Sequence, residues 1–590
     1  MCGIFGTTAD GCVQKTLQAL HFLEYRGYDS AGVCVKNDGL QVFKTQGRVS
    51  VLETKLPQNL DGQSAIGHTR WATHGEVCDK NAHPFLSQDG AFCICHNGIL
   101  ENYLSLKTQL QTDGFSFLSD TDSETVAHLL QKNYSANVLQ SVTETASALQ
   151  GSFAVLVQTT HDDNLYAFKN KSPLVVGISE RGVLLCSDVR CVATWAQKVA
   201  VVPDNTVVVA SKRDARFFDF SGKQIEVEFF VPTAFSKKQQ TEGDNMFKEI
   251  CEIPHCLALS KKRYFESGGL QLSAKTLNKL KRIYFLGCGT AYNSGLETCA
   301  VARNFCSLDM FAIVASEFIY DNYPVDSNTL AFCISQSGET ADTIRAAEKV
   351  KQQGGIVYAV TNTEMSTLCF VCNKVKNVCA GAEFAVASTK AYNNQVQTLL
   401  LLMLDIAYLR QEISAQKRCD LWNALDKIPL AIDNVLAQKQ KIAQLAQQIK
   451  HSSAVFFVGR TLDYPTAVEG SLKLKEISYV HSEAYPSGEL KHGTLALMEK
   501  GVTVVVISTS DSLLKKNNGT ANEIASRQAT VVTVSPYHGA DLHVTLPTVH
   551  KFLYGIVAVV PLQLLAYYVA KGLGRDVDKP RNLAKSVTVE

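Results

Sequence analysis

The second half of this chain repeats itself, and that repetition limits its fold more than any other feature. Ile283-Tyr284-Phe285-Leu286-Gly287 is an apolar run closed by glycine, with Tyr292 five residues on. Val455-Phe456-Phe457-Val458-Gly459 has the same form, with Tyr464 five residues on, at an offset of 172. Ile334-Ser335-Gln336-Ser337 and Ile507-Ser508-Thr509-Ser510 match at an offset of 173. Two strand-and-turn matches at nearly one spacing mark a supersecondary unit used twice. Apolar runs alternate there with helical patterns, as in doubly wound parallel sheets. The spacing predicts two copies of one α/β domain, at about 275–415 and 445–575. The tail 576–590 has no periodicity, contains Pro580, and reads from its residues as a frayed end.

With 590 residues, the chain is too long for one hydrophobic core. Residues 2–225 have another texture. Short β-like runs at 91–95, 152–158, 165–168, 174–178 and 207–210 dominate, with helical patterns only at about 12–25 and 122–133, which predicts an α+β sandwich. A linker is expected over 226–274, on the polar stretch Ser236–Asn245. The formal net charge of +1 leaves no electrostatic footprint for nucleic acid or an anionic membrane, so an anionic ligand must be held by local donors. The uncharged run Leu553–Ala570, 18 residues long, sits at the short end of a spanning helix and lacks a basic flank, so a buried helix is expected. Met1–Phe5 has no basic or long apolar leader. Eighteen cysteines without paired spacings point to reduced thiols. Cys93 and Cys95 share one strand face with no second cysteine pair, which argues against a metal site. A soluble cytoplasmic protein without membrane or nucleic-acid partners is expected.

Cys2 follows the initiator methionine, and removal of that methionine leaves a thiol and an α-amine on one residue. With a pKa of roughly 7.7–8.0 the amine is a usable base at neutral pH, the arrangement of N-terminal nucleophile enzymes. The stretches Tyr25–Gly32 and His68–Gly75 are polar, aromatic and aperiodic, so they are expected outside the core, where Arg26 and Arg70 offer guanidinium groups to a carboxylate. His96-Asn97-Gly98 follows a strand, and an asparagine amide beside a glycine N–H is a sensible oxyanion hole. Four histidines between 68 and 96 lack the common zinc spacings, and no metal or organic cofactor is expected.

In the repeated half, Ser335-Gln336-Ser337-Gly338-Glu339-Thr340 lies between a strand at 329–334 and a helical pattern at 341–353. Hydroxyls and backbone N–H groups at a helix start make an anion cradle without Lys or Arg. Gly287-Cys288-Gly289-Thr290 is a second turn of this design. An ordinary N-cap is the alternative for either turn.

The motifs around Cys2, Arg26, Arg70, Asn97 and Thr121-Asp122-Ser123-Glu124 resemble the glutaminase domain of class II glutamine amidotransferases. The second half resembles the sugar isomerase domains. Together they are closest to the glutamine–fructose-6-phosphate aminotransferase family. That resemblance implies that Cys2 attacks the glutamine amide while Asn97 and Gly98 hold the oxyanion. It implies that Arg70 clamps the substrate carboxylate and Asp122 its ammonium, with Thr73, His74 and Gly98 lining the pocket, Arg26 shaping it, and Trp71 gating ammonia. In the sugar half, Ser335, Gln336, Ser337, Thr340 and Thr290 would bind phosphate, and Val386 and Ser388 would lie near the sugar. Glu476 would shuttle the proton between C1 and C2 with Lys473 assisting. His492, from the neighbouring subunit of a homodimer, would open the ring, and Lys585 would form a Schiff base. The substrates implied are L-glutamine and fructose 6-phosphate.

Four positions depart from the family pattern. Ala291 stands for a usual Ser, Ala385 for Gly, Thr494 for Pro and Ile253 for Gln. Ser267-Gly268-Gly269-Leu270 faintly resembles an ATP-pyrophosphatase loop, but Gln271 and Leu272 stand where Asp and Ser are needed. A glutaminase fused to a sugar-phosphate sensor, or one that only releases ammonia, remains the alternative from the residues alone.

Overall fold

The computed structural model describes every residue except 1, 73, 233–242, 538 and 589–590. The chain forms two compact units: residues 1–239 with 586–590, and residues 240–585.

The first unit is built on two seven-stranded antiparallel sheets. One runs, edge to edge, Lys198–Val201, Val175–Ser179, Gly182–Cys186, Gly3–Thr7, Ser64–Arg70, Ser30–Lys36 and Leu40–Gln46. The other runs Gln224–Ile225, Ala215–Asp219, Thr206–Ala210, Leu165–Asn170, Gly151–Thr159, Phe92–Leu100 and Phe85–Leu86. Their inner faces share one core that includes Ile4, Ile66, Cys93, Cys95, Leu156 and Val176. Helix Cys12–Leu23 covers the outer face of the first sheet. Helices Glu124–Lys132 and Val138–Ala148 cover the second, burying Val126, Leu130 and Val142 beside Phe92 and Val155. This is the expected α+β sandwich.

Two expectations for this half are corrected. Helices also form at Val49–Lys55, Tyr103–Thr112 and Val138–Ala148; Tyr103–Thr112 buries only Leu110, so its apolar period was too thin to read. The polar stretches expected outside the core contribute buried strands instead. Ser64–Arg70 is buried along its length, His68, Thr69 and Arg70 included, and Arg26 is also buried. Sheet bonds and side-chain partners replace water for many of their polar groups.

In the second unit, five parallel strands run in the order Asp309–Val314, Arg282–Gly287, Thr329–Ser335, Ile356–Thr361, Lys374–Asn377. A second sheet has the same order: Ser482–Pro486, Ala454–Gly459, Val502–Ile507, Thr530–Ser535, Leu542–Thr545. The shared order of strands is the fold-level form of the repeat. In each sheet the order reverses beside its first strand, where open α/β sheets place their ligands. Helices Asn245–Cys251 and Ile253–Glu266, in the region expected as linker, bury Met246, Ile250, Ile253 and Leu257 in this unit's core; residues 236–242 of the polar stretch lie outside the described residues.

Helix Tyr554–Gly572 is, among the described residues, the one helix long and apolar enough to cross a membrane, and 83% of that window is buried. It packs on helices Asp463–Ser478 and Lys439–Ile449, which explains its uniform apolarity as a core helix. Among the described residues no disulfide joins any of the eighteen cysteines.

Candidate active sites

Strand pairing places the nucleophile. Gly3 opposes Thr69, which brings Cys2 to Trp71: its Sγ accepts from the Trp71 N–H at 3.3 Å and lies 3.5 Å from the Trp71 carbonyl oxygen. Burial pushes the Cys2 thiol above its ordinary value, and Arg70 is among the groups that draw it back. Asn97 Nδ2 donates to the Cys2 carbonyl at 2.9 Å, so the candidate oxyanion amide already touches the nucleophile's backbone. Gly98 has φ 132°, and a Cβ there would sit 1.9 Å from the Ser152 carbonyl oxygen. Only glycine fits this close approach of two strands.

The surrounding polar groups hold this pocket in shape. Arg70 donates to the carbonyls of His74, Gly75 and Glu76, tying down the loop after its strand. Asp122 accepts from the Leu100 N–H at 3.0 Å and the Ser123 hydroxyl at 3.2 Å. The Trp71 ring meets Tyr28 edge-on at 5.8 Å, and His74 meets Tyr103 at 5.4 Å. Arg26 lies in a buried network with Tyr25, Asp188 and Arg190. Thr73 lies outside the described residues. His68 stacks on His83 at 4.0 Å and hydrogen-bonds the His96 carbonyl oxygen. Burial drives His68 down to about 3 and His83 well below its usual range, so both rings are neutral packing groups at ordinary pH.

In the second unit the turn Ser335–Thr340 joins its strand to helix Ala341–Gln352. The hydroxyls of Ser335 and Thr340 are 2.8 Å apart; Ser335 also accepts from the Gly338 N–H, and Ser337 from the Glu339 N–H. Gly338 has φ 68°, and a Cβ would meet Ser366 Oγ at 1.9 Å, so the turn closes only around glycine. Gln336 forms the middle of the turn, its carbonyl accepting from the Asn362 N–H.

Helix Asp463–Ser478 supplies the titratable groups. Lys473 is fully buried and donates to Glu476 at 2.6 Å and to Thr290 Oγ1 at 2.9 Å, with Glu469 at 3.5 Å. Burial opposes the ammonium, but Glu476 and Glu469 outweigh it and hold Lys473 above its ordinary value. Burial lifts Glu469 to about 7 against the pull of Lys473; it accepts from Asn293 and Thr290. In the tail, Lys585 binds Glu383 at 2.5 Å, and Ser388 donates to the same carboxylate at 2.9 Å. The Val386 N–H is held by the Asp578 carbonyl oxygen. Among the described residues the tail carries neither helix nor strand, yet the Lys585 side chain is buried in an ion pair. His492 is exposed on the turn Glu489–His492 and makes no hydrogen bond to the Lys473 group.

The chain that holds these two polar centres is similar to known proteins along its whole length. The glutamine amidotransferase domain family matches residues 68–194, and the SIS domain family matches 276–404 and 448–571. The glutamine–fructose-6-phosphate aminotransferase (isomerizing) of Caldanaerobacter subterraneus subsp. tengcongensis is 39% identical, with both chains covered in full. The Thermus thermophilus enzyme of the same name is 38% identical, again with both chains covered in full. The chain belongs to the glutamine–fructose-6-phosphate aminotransferase (isomerizing) family. The C-terminal domain of glucosamine-fructose-6-phosphate aminotransferase from Francisella tularensis is 34% identical and covers 58% of this chain and all of its own, with a TM-score of 0.56.

Within this aminotransferase, sequence reasoning missed Glu383 and Glu469 as members of the sugar-side cluster. Glu469, Lys473 and Glu476 stand at i, i+4 and i+7, one face of a helix, and that spacing was readable. Glu383 had no such signal, because its partners Lys585, Ser388 and the N–H groups of Thr389 and Ala391 converge only in the folded loop.

Proposed function

We propose that this aminotransferase converts L-glutamine and fructose 6-phosphate into glutamate and glucosamine 6-phosphate, with ammonia passed internally between the two half-reactions. The observation that carries the reading is the Lys473–Glu476–Glu469 cluster beside Thr290, in a chain whose other unit holds Cys2 against Asn97. A sensor needs an anion cradle but not a buried lysine between two carboxylates.

In the first half-reaction Cys2 attacks the glutamine carbonyl, with Asn97 Nδ2 and the Gly98 N–H donating to the oxyanion. Collapse expels ammonia and leaves a thioester, which water hydrolyses to glutamate. Arg70 holds the substrate carboxylate and Asp122 its ammonium; Thr73 and His74 line the pocket, Arg26 shapes it, and Trp71 gates ammonia. In the second, Ser335, Gln336, Ser337, Thr340 and Thr290 hold the phosphate, and Val386 and Ser388 border the sugar. His492 of a neighbouring subunit opens the ring. The Lys585 amine adds to the C2 carbonyl, water leaves, and an imine forms. Ammonia displaces the lysine. Glu476, steadied by Lys473, takes a proton from C1 and returns one to C2, leaving an aldehyde at C1 and an amine at C2. We place the enzyme in the cytoplasm as a homodimer.

Purified protein is incubated with glutamine, with and without fructose 6-phosphate, and glutamate and amino sugar are followed together. Equal amounts of both products, with synthesis lost in Cys2→Ala, are expected. Glutamate without amino sugar overturns the synthase reading in favour of a sensor or another ketose.

A further inference from the structure

Glu249 is a buried carboxyl that the mechanism above does not use. It projects from helix Asn245–Cys251 into the loop that carries Glu383 and Ser388. Its Oε1 accepts from the Phe384 and Ala385 N–H groups. Its Oε2 is buried without a hydrogen-bond partner. The same helix is held to the tail, because Asp578 accepts at its first turn from the N–H groups of Asn245 and Met246. One helix, one loop and the tail thus converge on Lys585.

The charges around Glu249 do not balance. Lys585 pairs with Glu383 at 2.5 Å, and Lys390 with Glu252 at 2.8 Å. Three carboxyls therefore share two lysines, and Glu249 has no cation of its own. The other charged groups nearby are engaged elsewhere. Lys571 pairs with Asp244, and Lys473 pairs with Glu476 and Glu469. Lys439 lies over the Phe247 ring, and Lys248 donates to the Gly243 carbonyl. A buried, unpaired carboxylate is costly, and the group avoids that cost by staying protonated. Burial, and then the Glu383 charge, push Glu249 up to about 8. Glu383 is the reverse case: despite burial, Lys585 and the N–H groups of Thr389 and Ala391 hold it below its ordinary value, so it is a firm anion and a poor base.

We propose that Glu249 is a positioning residue that governs the release of Lys585 from Glu383: neutral, it lets the lysine leave as a free amine, and ionised, it locks the pair. This rests on the reading of Lys585 as the imine-forming lysine. Imine formation needs the Nζ proton to leave to solvent before the amine attacks, since Glu383 is too weak a base to keep it, and a second negative charge beside the pair opposes that loss. An opposition worth about one pH unit is a tenfold change in free amine.

The full-length protein is incubated with fructose 6-phosphate alone, and any adduct is reduced with cyanoborohydride and mapped to its peptide between pH 6.5 and 9.5. Wild type and Glu249→Gln are expected to trap Lys585 within about twofold of each other at pH 7, with the variant about tenfold faster at pH 9.5. A ratio that stays constant across this range overturns the proposal. Wild type alone carries the same test if the variant does not fold: its trapping rate must flatten near pH 8, and an unbroken rise overturns the inference. Absence of a Lys585 adduct in both proteins at every pH overturns the imine reading itself.

Discussion

The two repeats of the sugar half have the same strand order but end their turns in different chemistry. Ala291 and Asp463 occupy the same place, each four residues after the glycine that closes the first strand of its repeat. In the first repeat Ala291 brings no carboxyl to the matching place, and the one acid of the Ser335–Thr340 turn, Glu339, is taken up by the N–H and hydroxyl of Thr367. In the second, the Asp463 carboxylate accepts from the Thr509 N–H at 3.2 Å and its hydroxyl at 2.5 Å, and Thr509 is the counterpart of Gln336. The protein has supplied its own anion to the second turn. A duplicated fold is thereby divided: one copy keeps a turn of hydroxyls suited to an anion, and the other contributes the helix bearing Glu469, Lys473 and Glu476.

This division is tested most severely by Glu476→Gln. If the second repeat supplies proton transfer rather than binding, kcat for amino-sugar formation falls about a thousandfold with little change in KM, while glutamine hydrolysis persists. A KM effect of that size instead would merge the two roles. Ala291→Asp copies the acid of the second repeat into the first. A carboxylate facing the phosphate is expected to raise KM for fructose 6-phosphate about a hundredfold, at nearly constant kcat. An unchanged KM places the phosphate elsewhere.

Asp463 gives a smaller, pH-dependent effect. Burial lifts it to about 6 against the two Thr509 hydrogen bonds. A carboxyl raised in the folded state binds protons there more tightly than in the unfolded chain, so its ionisation costs stability increasingly between about pH 4 and 6. Asp463→Asn removes that cost. Denaturant unfolding of the variant and wild type is expected to differ by about 2 kcal/mol more in the variant's favour at pH 7.5 than at pH 4. A pH-independent difference would mean that Asp463 is paired rather than merely buried. The smallest effect closes the comparison: if the second turn takes no part in phosphate binding, Asp463→Asn is expected to leave KM for the sugar within about twofold. A larger rise would make that turn part of the sugar site.

How far the site could be read from residues varied with how local its signals are. Ser335–Thr340 announced itself, because its hydroxyls, its glycine and the following helix are contiguous. Cys2, Asn97 and Gly98 were legible as chemical types, but their meeting depends on the antiparallel pairing of Gly3–Thr7 with Ser64–Arg70 and on the packing of two sheets. Polar strands misled where partners are distant: His68 and Arg70 look like surface residues until sheet neighbours and loop carbonyls satisfy them. Lys585 was visible only through resemblance, since nothing in an aperiodic tail shows that Glu383 awaits it 202 residues away.

Contiguous pattern alone specified the sandwich of the first half, the doubled parallel sheet of the second, and the candidate turn for an anion, since each follows from side-chain period or from neighbouring donors. Long-range folding specified which turn receives a carboxylate, which carboxyl pairs with which lysine, and which is left over as Glu249. Those outcomes depend on distances of a few ångströms between residues far apart in the chain, and on burial, which sets the cost of every charge left without a partner.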